Sequence, residues 1–280
     1  MTCDFSDTQR RRLKELGIDR TLRAQRFSSE AERDRSYQAL EDQFIKSERK
    51  RLVNFRDESR RPKTCRLEQE LATKLADEGF VQVSSPIIMS KSSLVKMGIS
   101  DDHPLFSQVF WLDSKKCLRP MLAPHLYAIS RDLLRLWGEP VRLFEIGPCF
   151  RKESRGTQHS NEFTMLNLVE FGLQESQRKA RIEEVTALVL NCAGIRDYGF
   201  ETEDSEVYGV TVDIVSKPGR MELGSSAMGP HPLDSNWCIS STWVGIGFGL
   251  ERLIMACNQD SHMGKFARSL SYLDGIRLNI

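Results

Sequence analysis

Residues 150–168 read FRKESRGTQHSNEFTMLNL. An apolar segment, Leu143-Phe144-Glu145-Ile146, runs into this stretch, and a second, Phe163 to Val169, runs out of it. Between them stand Arg151, Lys152 and Arg155 with Glu153, Glu162 and His159. Two apolar segments joined by a charged loop predict a pair of strands over 141–150 and 162–171. Side chains alternate along a strand. Phe163, Met165, Asn167 and Val169 therefore share one face, and Glu162, Thr164, Leu166 and Leu168 the other. Asn167 lies among apolar neighbours, so its amide must be satisfied by backbone or by a ligand. The loop offers planar, permanently charged guanidinium groups, which suit phosphate. It fits a triphosphate held over the sheet, and it also fits a solvated hairpin tip.

Working outward, residues 66–78 predict an amphipathic helix with Leu67, Leu71 and Leu75 four apart and Gly79 as its cap. FVQVSSP (80–86) alternates like a strand and stops at Pro86. LFSQVFWLD (105–113) reads as a strand, and a helix starts at Pro124 and runs to about Trp137. A helix over 178–193 ends at Gly194; 206–215 and 220–228 read as strands; 241–257 is a glycine-rich strand leading into a helix. Residues 1–60 read as helical and charged, with a sparse apolar stripe of Leu40, Phe44, Ile45, Leu52 and Phe55, and ESRRPK (58–63) closes that region at Pro62. Neighbouring strands with helices interspersed predict an α+β fold: a mostly antiparallel sheet flanked by helices. The domain reading is a basic helical region over 1–60 and a second domain over 61–280.

The chain has 280 residues and a formal net charge of +1, so no global charge points to nucleic acid. The distribution is uneven: residues 1–63 hold 17 Lys+Arg against 12 Asp+Glu, a net of +5, which leaves −4 on the remainder. A basic appendage on a slightly acidic body hints at a polyanionic partner. The seven cysteines include no CxxC pair. That pattern argues for reduced thiols in a cytoplasmic protein, and against a zinc site or a disulfide framework. The N-terminus is charged from the start, unlike a signal peptide, and no apolar run approaches a membrane span.

GIGFGLER (245–252) is not a phosphate-binding P-loop, since it lacks the terminal Gly-Lys-Ser/Thr. Trp243, Gly245 and Gly247 alternate onto one strand face and leave a flat floor for a planar ligand; close packing of a helix on the sheet also explains the glycines. It does not explain Arg252 at a helix start, where the dipole disfavours a cation. On the helix after Pro124, Ala123, Leu126, Tyr127 and Ser130 are spaced i, i+3, i+4, i+7 and share a face. Two of the four are small. If that face abuts the sheet, Val169, Ala227 and Trp243 would close a roomy apolar pocket with Asn167 as its polar contact; ordinary core packing explains the same cluster.

These segments resemble the three motifs of the class II aminoacyl-tRNA synthetases. GFVQVSSP is similar to motif 1, FRKES with EFTMLNL to motif 2, and GFGLERL to motif 3, in the family's order. LRPMLAPHLY (118–127), GPCFRKES, EFTMLNL, VYGVTVDIV, GFGLERL and the terminal SLSYLDGIRLNI resemble, more narrowly, the catalytic domain of the pyrrolysyl-tRNA synthetase family, in its shorter bacterial or N-terminal-domain-lacking forms. The resemblance implies that ATP lies bent over the sheet. Arg151 would hold the α-phosphate and Arg252 the γ-phosphate. Phe163 would stack on adenine with Arg252 on its other face, and Glu153 and His159 would line the nucleotide. Glu222 and Ser225 would hold Mg²⁺. It implies further that Asn167 bonds a side-chain carbonyl of pyrrolysine, that Tyr208 caps its ring nitrogen, and that Gly245 helps floor the pocket. Ser130, Val169 and Ala227 depart from, or vary within, the family pattern. The implied partners are tRNA(Pyl), laid partly on residues 1–60, a second copy of the chain through residues 66–86, and a separate small tRNA-binding protein. A class II enzyme for another amino acid and an inactive regulatory paralogue are the competing readings. Asn167 argues against the first, and the presence of Arg151, Glu222 and Arg252 against the second.

Overall fold

The computed structural model of the chain describes residues 2–152, 160–205, 207–217, 220–260 and 262–280. It divides into two units, Met1–Pro62 with Ser269–Ile280, and Lys63–Arg268. In the first, β1 (Cys3–Asp4), α1 (Asp7–Glu15), α2 (Arg20–Arg23), β2 (Arg26–Phe27) and α3 (Glu30–Asn54) follow in order. Ser6 opens α1 by accepting the Gln9 backbone N–H while the Gln9 side chain reaches back to the Ser6 backbone. Phe5, Leu13, Leu16, Ile18 and Phe27 form a small core, against which Leu40 and Phe44 of the expected stripe pack half-buried. The short β1–β2 pair had no sequence signal. The sequence placed 61–280 in one domain, whereas Ser269–Ile280 groups with the first unit. There the Arg277 backbone donates to buried Glu48 of α3 at 2.7 Å.

The second unit begins with α4 (Lys63–Asp77), whose Leu67, Leu71 and Leu75 are buried. Gly79 ends it at φ +83°, a conformation that costs glycine little. Then come β3 (Val81–Gln82), β4 (Ile88–Ser90), α5 (Lys91–Lys96), α6 (Pro104–Gln108), β5 (Lys116–Leu118), α7 (Ala123–Trp137), β6 (Val141–Phe150) and β7 (Glu162–Phe171). After them follow α8 (Arg178–Cys192), β8 (Tyr198–Ser205), β9 (Gly209–Ser216), β10 (Glu222–Gly229), β11 (Trp243–Gly249) and α9 (Leu250–Cys257). β12 (Tyr272–Leu273) and β13 (Ile276–Arg277) close the chain as a hairpin within the first unit.

Seven strands form one sheet in the order β3-β6-β7-β11-β10-β9-β8. Every pairing is antiparallel except β3 with β6. The expected α+β class holds. The strand expected over 105–113 does not form: His103 accepts the Leu105 N–H at 3.1 Å and Pro104 takes the first turn of α6 instead. Only Trp111 of that stretch makes a bridge, to Cys117. The strand expected over 80–86 is two residues long, because Ser85 turns its backbone N–H to the Glu145 side chain at 3.0 Å. β8 was missed; YGFETEDS is polar because it is an edge strand paired with β9 alone.

One sheet face is closed by α4, α8 and α9 around Phe144, Leu166, Leu168, Ile246 and Phe248, all fully buried. The other carries the site. Residues opposite one another across strands share a face, so the pairings lay out its rows. Val169 faces Gly245, and Gly245 faces Ala227. In the next row Asn167 faces Gly247, Gly247 faces Ser225, and Ser225 faces Asp213.

Candidate active site

A cavity of about 510 Å³ opens on these rows, lined among others by Arg151, Phe163, Asn167, Glu222, Ser225 and Arg252. The glycine floor is not forced by helix packing. A Cβ on Gly247 would meet only Met165 at 3.3 Å and Asn167 at 3.9 Å, and one on Gly245 would meet the Trp243 ring at 3.2 Å and the Leu168 carbonyl at 3.7 Å. None of these atoms belongs to a helix, so the glycines keep the floor low for what lies above it. Gly224 differs: a Cβ there would sit 2.5 Å from the Gly247 carbonyl, so backbone approach requires it.

At one end Arg151 lies over the Phe163 ring, 5.5 Å from guanidinium carbon to centroid, and donates through Nε to the Pro120 carbonyl at 2.9 Å. Behind it, Phe150 donates its N–H to the Arg119 carbonyl at 3.0 Å. Arg119 is buried and pairs with buried Glu145 at 2.6 Å. A Cβ on Gly147 would fall 2.2 Å from Arg119 Nη2, so that glycine clears the guanidinium. Ser85 joins the pair, donating its hydroxyl to Glu145 Oε2 at 2.6 Å and accepting from Arg119 at 3.0 Å. Its Oγ also lies 3.0 Å from His125 Nδ1. With the Ser85 proton committed to Glu145, Nδ1 carries the proton of that bond.

Burial, helped by the charge of Arg119, pushes the His125 imidazole below its ordinary 6.5. A depressed histidine contributes stability above the unfolded value and loses it as pH falls below that value, because the unfolded chain then binds the extra proton. The chain is expected to lose stability from pH 6.5 downward, before most carboxylates titrate. His125→Gln should flatten that limb in denaturant titrations at pH 7 and pH 5; an unchanged slope would rule His125 out as its source.

At the motif 3 end Arg252 Nη1 is 3.1 Å from Glu222 Oε2 and donates to the Glu222 carbonyl at 3.2 Å. Glu251 is buried, and its two carboxylate oxygens each accept the Thr164 N–H at 2.9 Å. β11 ends its pairing at Gly249 opposite Met165, and Glu251 takes over the next donor on β7. Burial raises the Glu251 carboxyl above its usual range, against the pull of that N–H. Asp213, which the sequence reading passed over, lies across from Ser225. Burial raises its carboxyl too; the Ser225 hydroxyl opposes that shift and the Glu222 charge adds to it. Two carboxylates and a hydroxyl form a small hard-oxygen set, the donor chemistry of Mg²⁺, which keeps part of its water shell. No cluster of three or more His, Cys, Asp or Glu is placed to hold a metal among the described residues. Glu153 and His159 lie outside the described residues.

The other end is apolar. Asn167 donates through Nδ2 to the Ile246 carbonyl at 2.9 Å, which fixes the amide and leaves its second N–H available. Leu126, Tyr127, Val169, Tyr208, Trp243 and Gly245 enclose a pocket here. Its free volume is only about 30 Å³, not the roomy space expected. Tyr208, on the turn between β8 and β9, is one of its walls, and its ring lies edge-on to Trp243 at 6.2 Å. Burial raises the Tyr127 and Tyr208 phenols above their usual range. Ala123 and Ala227 line the larger cavity. Ser130 is fully buried on the expected face of α7, outside both linings, and its hydroxyl has no hydrogen-bond partner among the described residues.

Comparison with known proteins gives this geometry its place. Residues 53–274 match the family model "tRNA synthetases class II core domain (F)". Lysine–tRNA ligase of Syntrophomonas wolfei is 29% identical over 142 residues, 50% of this chain and 27% of that protein. Threonine–tRNA ligase of Wolbachia pipientis subsp. Culex pipiens is 34% identical over 98 residues, 33% of this chain and 15% of that protein. The chain thus spans well under half the length of these curated relatives. Among solved structures, pyrrolysyl-tRNA synthetase from Desulfitobacterium hafniense superposes with a TM-score of 0.90 at 52% identity, covering 99% of each chain. A second structure from that organism gives 0.88 at 51%, covering 99% of this chain and 96% of the other. A class II core over most of the chain, and half-identity to these structures over nearly all of it, have one meaning: the chain belongs to the class II aminoacyl-tRNA synthetases, in the pyrrolysyl-tRNA synthetase family.

Proposed function

We propose that the chain is a pyrrolysine–tRNA ligase, which activates pyrrolysine with ATP to the aminoacyl-adenylate and transfers it to tRNA(Pyl). The likeness to the Desulfitobacterium hafniense enzyme over 99% of both chains carries this reading. Arg151 holds the α-phosphate, Arg252 the γ-phosphate, and Phe163 stacks on adenine. Arg252 leaves Glu222 to do so, exchanging one anion for another. Glu222 and Ser225, with Asp213 beside them, hold Mg²⁺, which supplies charge neutralisation on the phosphates. The protein contributes positioning and fixed charge rather than a covalent nucleophile. Glu153 and His159 belong to the nucleotide side on the family pattern.

On the amino-acid side Tyr208 swings out of the pocket and caps the ring nitrogen, and the free N–H of Asn167 donates to the side-chain carbonyl. Ala123, Leu126, Tyr127, Val169, Ala227, Trp243 and Gly245 form the walls and floor, with Ser130 behind them. The basic region 1–60 lies on tRNA, and a separate small tRNA-binding protein adds to that affinity. The chain works as a homodimer through the motif 1 segment, residues 66–86, where Val81 is exposed. No helix among the described residues is long and apolar enough to cross a membrane, and all seven cysteines are free, as suits a cytoplasmic enzyme.

A site built around a hydrogen bond can reject analogues lacking it by about 10⁴–10⁵. Asn167→Ala is therefore expected to collapse discrimination between a carbamate-capped lysine and apolar amino acids, read as the ratio of kcat/KM in ATP–pyrophosphate exchange. An unchanged ratio would remove Asn167 from substrate recognition.

A further inference from the structure

Three aromatic side chains wall the amino-acid end of the site, Tyr127, Tyr208 and Trp243, and they come from three separate parts of the chain. Something must hold them in register. Behind them lies Asp234, 4% exposed and absent from the lining of either cavity. Its Oδ1 accepts the Tyr127 hydroxyl at 3.2 Å, and its Oδ2 accepts the Trp243 indole N–H at 2.9 Å and the His231 backbone N–H at 2.7 Å. No ion pair with a Lys or Arg forms at this carboxylate among the described residues, so its charge is met by these donors.

The third wall is tied in through His231. Its Nδ1 accepts the Leu233 N–H at 3.2 Å, so Nε2 carries the ring proton and donates to the Tyr208 carbonyl at 3.0 Å. The same ring lies edge-on to Tyr208 at 5.6 Å. Gly229 makes room for the arrangement: a Cβ there would fall 1.9 Å from Trp243 Nε1.

We infer that Asp234 is a positioning residue for the amino-acid pocket: one buried carboxylate clamps Tyr127 and Trp243 directly and, through His231, the turn that carries Tyr208. The inference rests on the reading of this end as the amino-acid pocket. Among the described residues none of the clamp's hydrogen bonds is made with Arg151, Phe163, Glu222 or Arg252, so the loss is expected to fall on the amino acid rather than on ATP.

The test is ATP–pyrophosphate exchange on the full chain with a carbamate-capped lysine, varying each substrate in turn. Asp234→Ala is expected to raise the amino-acid KM by about 10- to 100-fold, the size of lost hydrogen bonds to a charged group, with the ATP KM within about twofold. Asp234→Asn keeps the acceptor on Trp243 and His231 and is expected to recover most of that loss. Asp234→Glu keeps the charge but displaces it by a methylene and is expected to behave like the alanine variant; it also serves if Asp234→Ala does not fold. Unchanged amino-acid KM in Asp234→Ala or Asp234→Glu, or an equal rise in both KM values, overturns the positioning role. Wild-type exchange beside an unaffected variant sinks this inference alone. Wild-type failure with the lysine derivative sinks the pocket reading and the inference together.

Discussion

Arg252→Ala abolishes amino-acid activation without unfolding the protein: exchange is expected to fall by about 10²–10³ or more, as when one preorganised charge stabiliser is removed from an active site. The separation of activity from stability follows from where Arg252 sits. Its side chain is 23% exposed, and its partner Glu222 is 49% exposed, so releasing Glu222 to water costs little. A lysine restores the charge but not the planar fork, so Arg252→Lys should recover only a small part of the activity. Arg151→Ala belongs to the same experiment. Its Nε bond to the Pro120 carbonyl and its stack on Phe163 aim it into the cavity. Normal exchange in a folded Arg252→Ala protein would remove the phosphate role from motif 3.

Glu145→Ala has the opposite signature, with a large loss of stability. Arg119 and Glu145 are each 2% exposed, and removing one partner of a buried pair leaves the other charge unsolvated, at a cost of about 3–5 kcal/mol. Ser85 would lose its Glu145 partner as well. Denaturant unfolding of the wild type and variant measures the difference. Glu145→Ala combined with Arg119→Met should be less destabilised than Glu145→Ala alone, because the stranded charge is gone. A loss below about 1 kcal/mol, the range of an exposed pair, would mean that the pair is solvated. The pair also bears on catalysis. The Arg119 and Pro120 carbonyls hold the Phe150 backbone and the Arg151 side chain, so the fraction of Glu145→Ala that folds should have a misplaced Arg151.

The sequence was most readable where local rules and tertiary packing agree. The strands over 141–150 and 162–171 are strongly apolar and bounded by a charged loop, and one face meets a helical core. The helix after Pro124 announces itself by its apolar face and its first-turn proline. LFSQVFWLD misled because its apolar residues fit either period, and the His103-Pro104 start decided for a helix. YGFETEDS was passed over because an edge strand need not be apolar.

At the site, residues on recognisable motifs were legible: Arg151, Phe163, Asn167, Glu222, Ser225 and Arg252 line one cavity. Asp213 and Asp234 were not. Asp213 lies within β9 between Val212 and Ile214 and reads as solvent-facing; its register opposite Ser225 puts it beside Glu222. Asp234 lies in HPLDSNW, which reads as an ordinary proline turn, and its bond to Tyr127 spans 107 residues. The tightness of the amino-acid pocket was equally out of reach, since it depends on where the Tyr208 ring rests.

ATP–pyrophosphate exchange by the purified chain tests the central claim most directly, with pyrrolysine or a carbamate-capped lysine in one set of reactions and the standard amino acids in another, each with and without tRNA. Exchange with the lysine derivative alone is the expected result. Exchange with a standard amino acid instead, or with none of them, would contradict it.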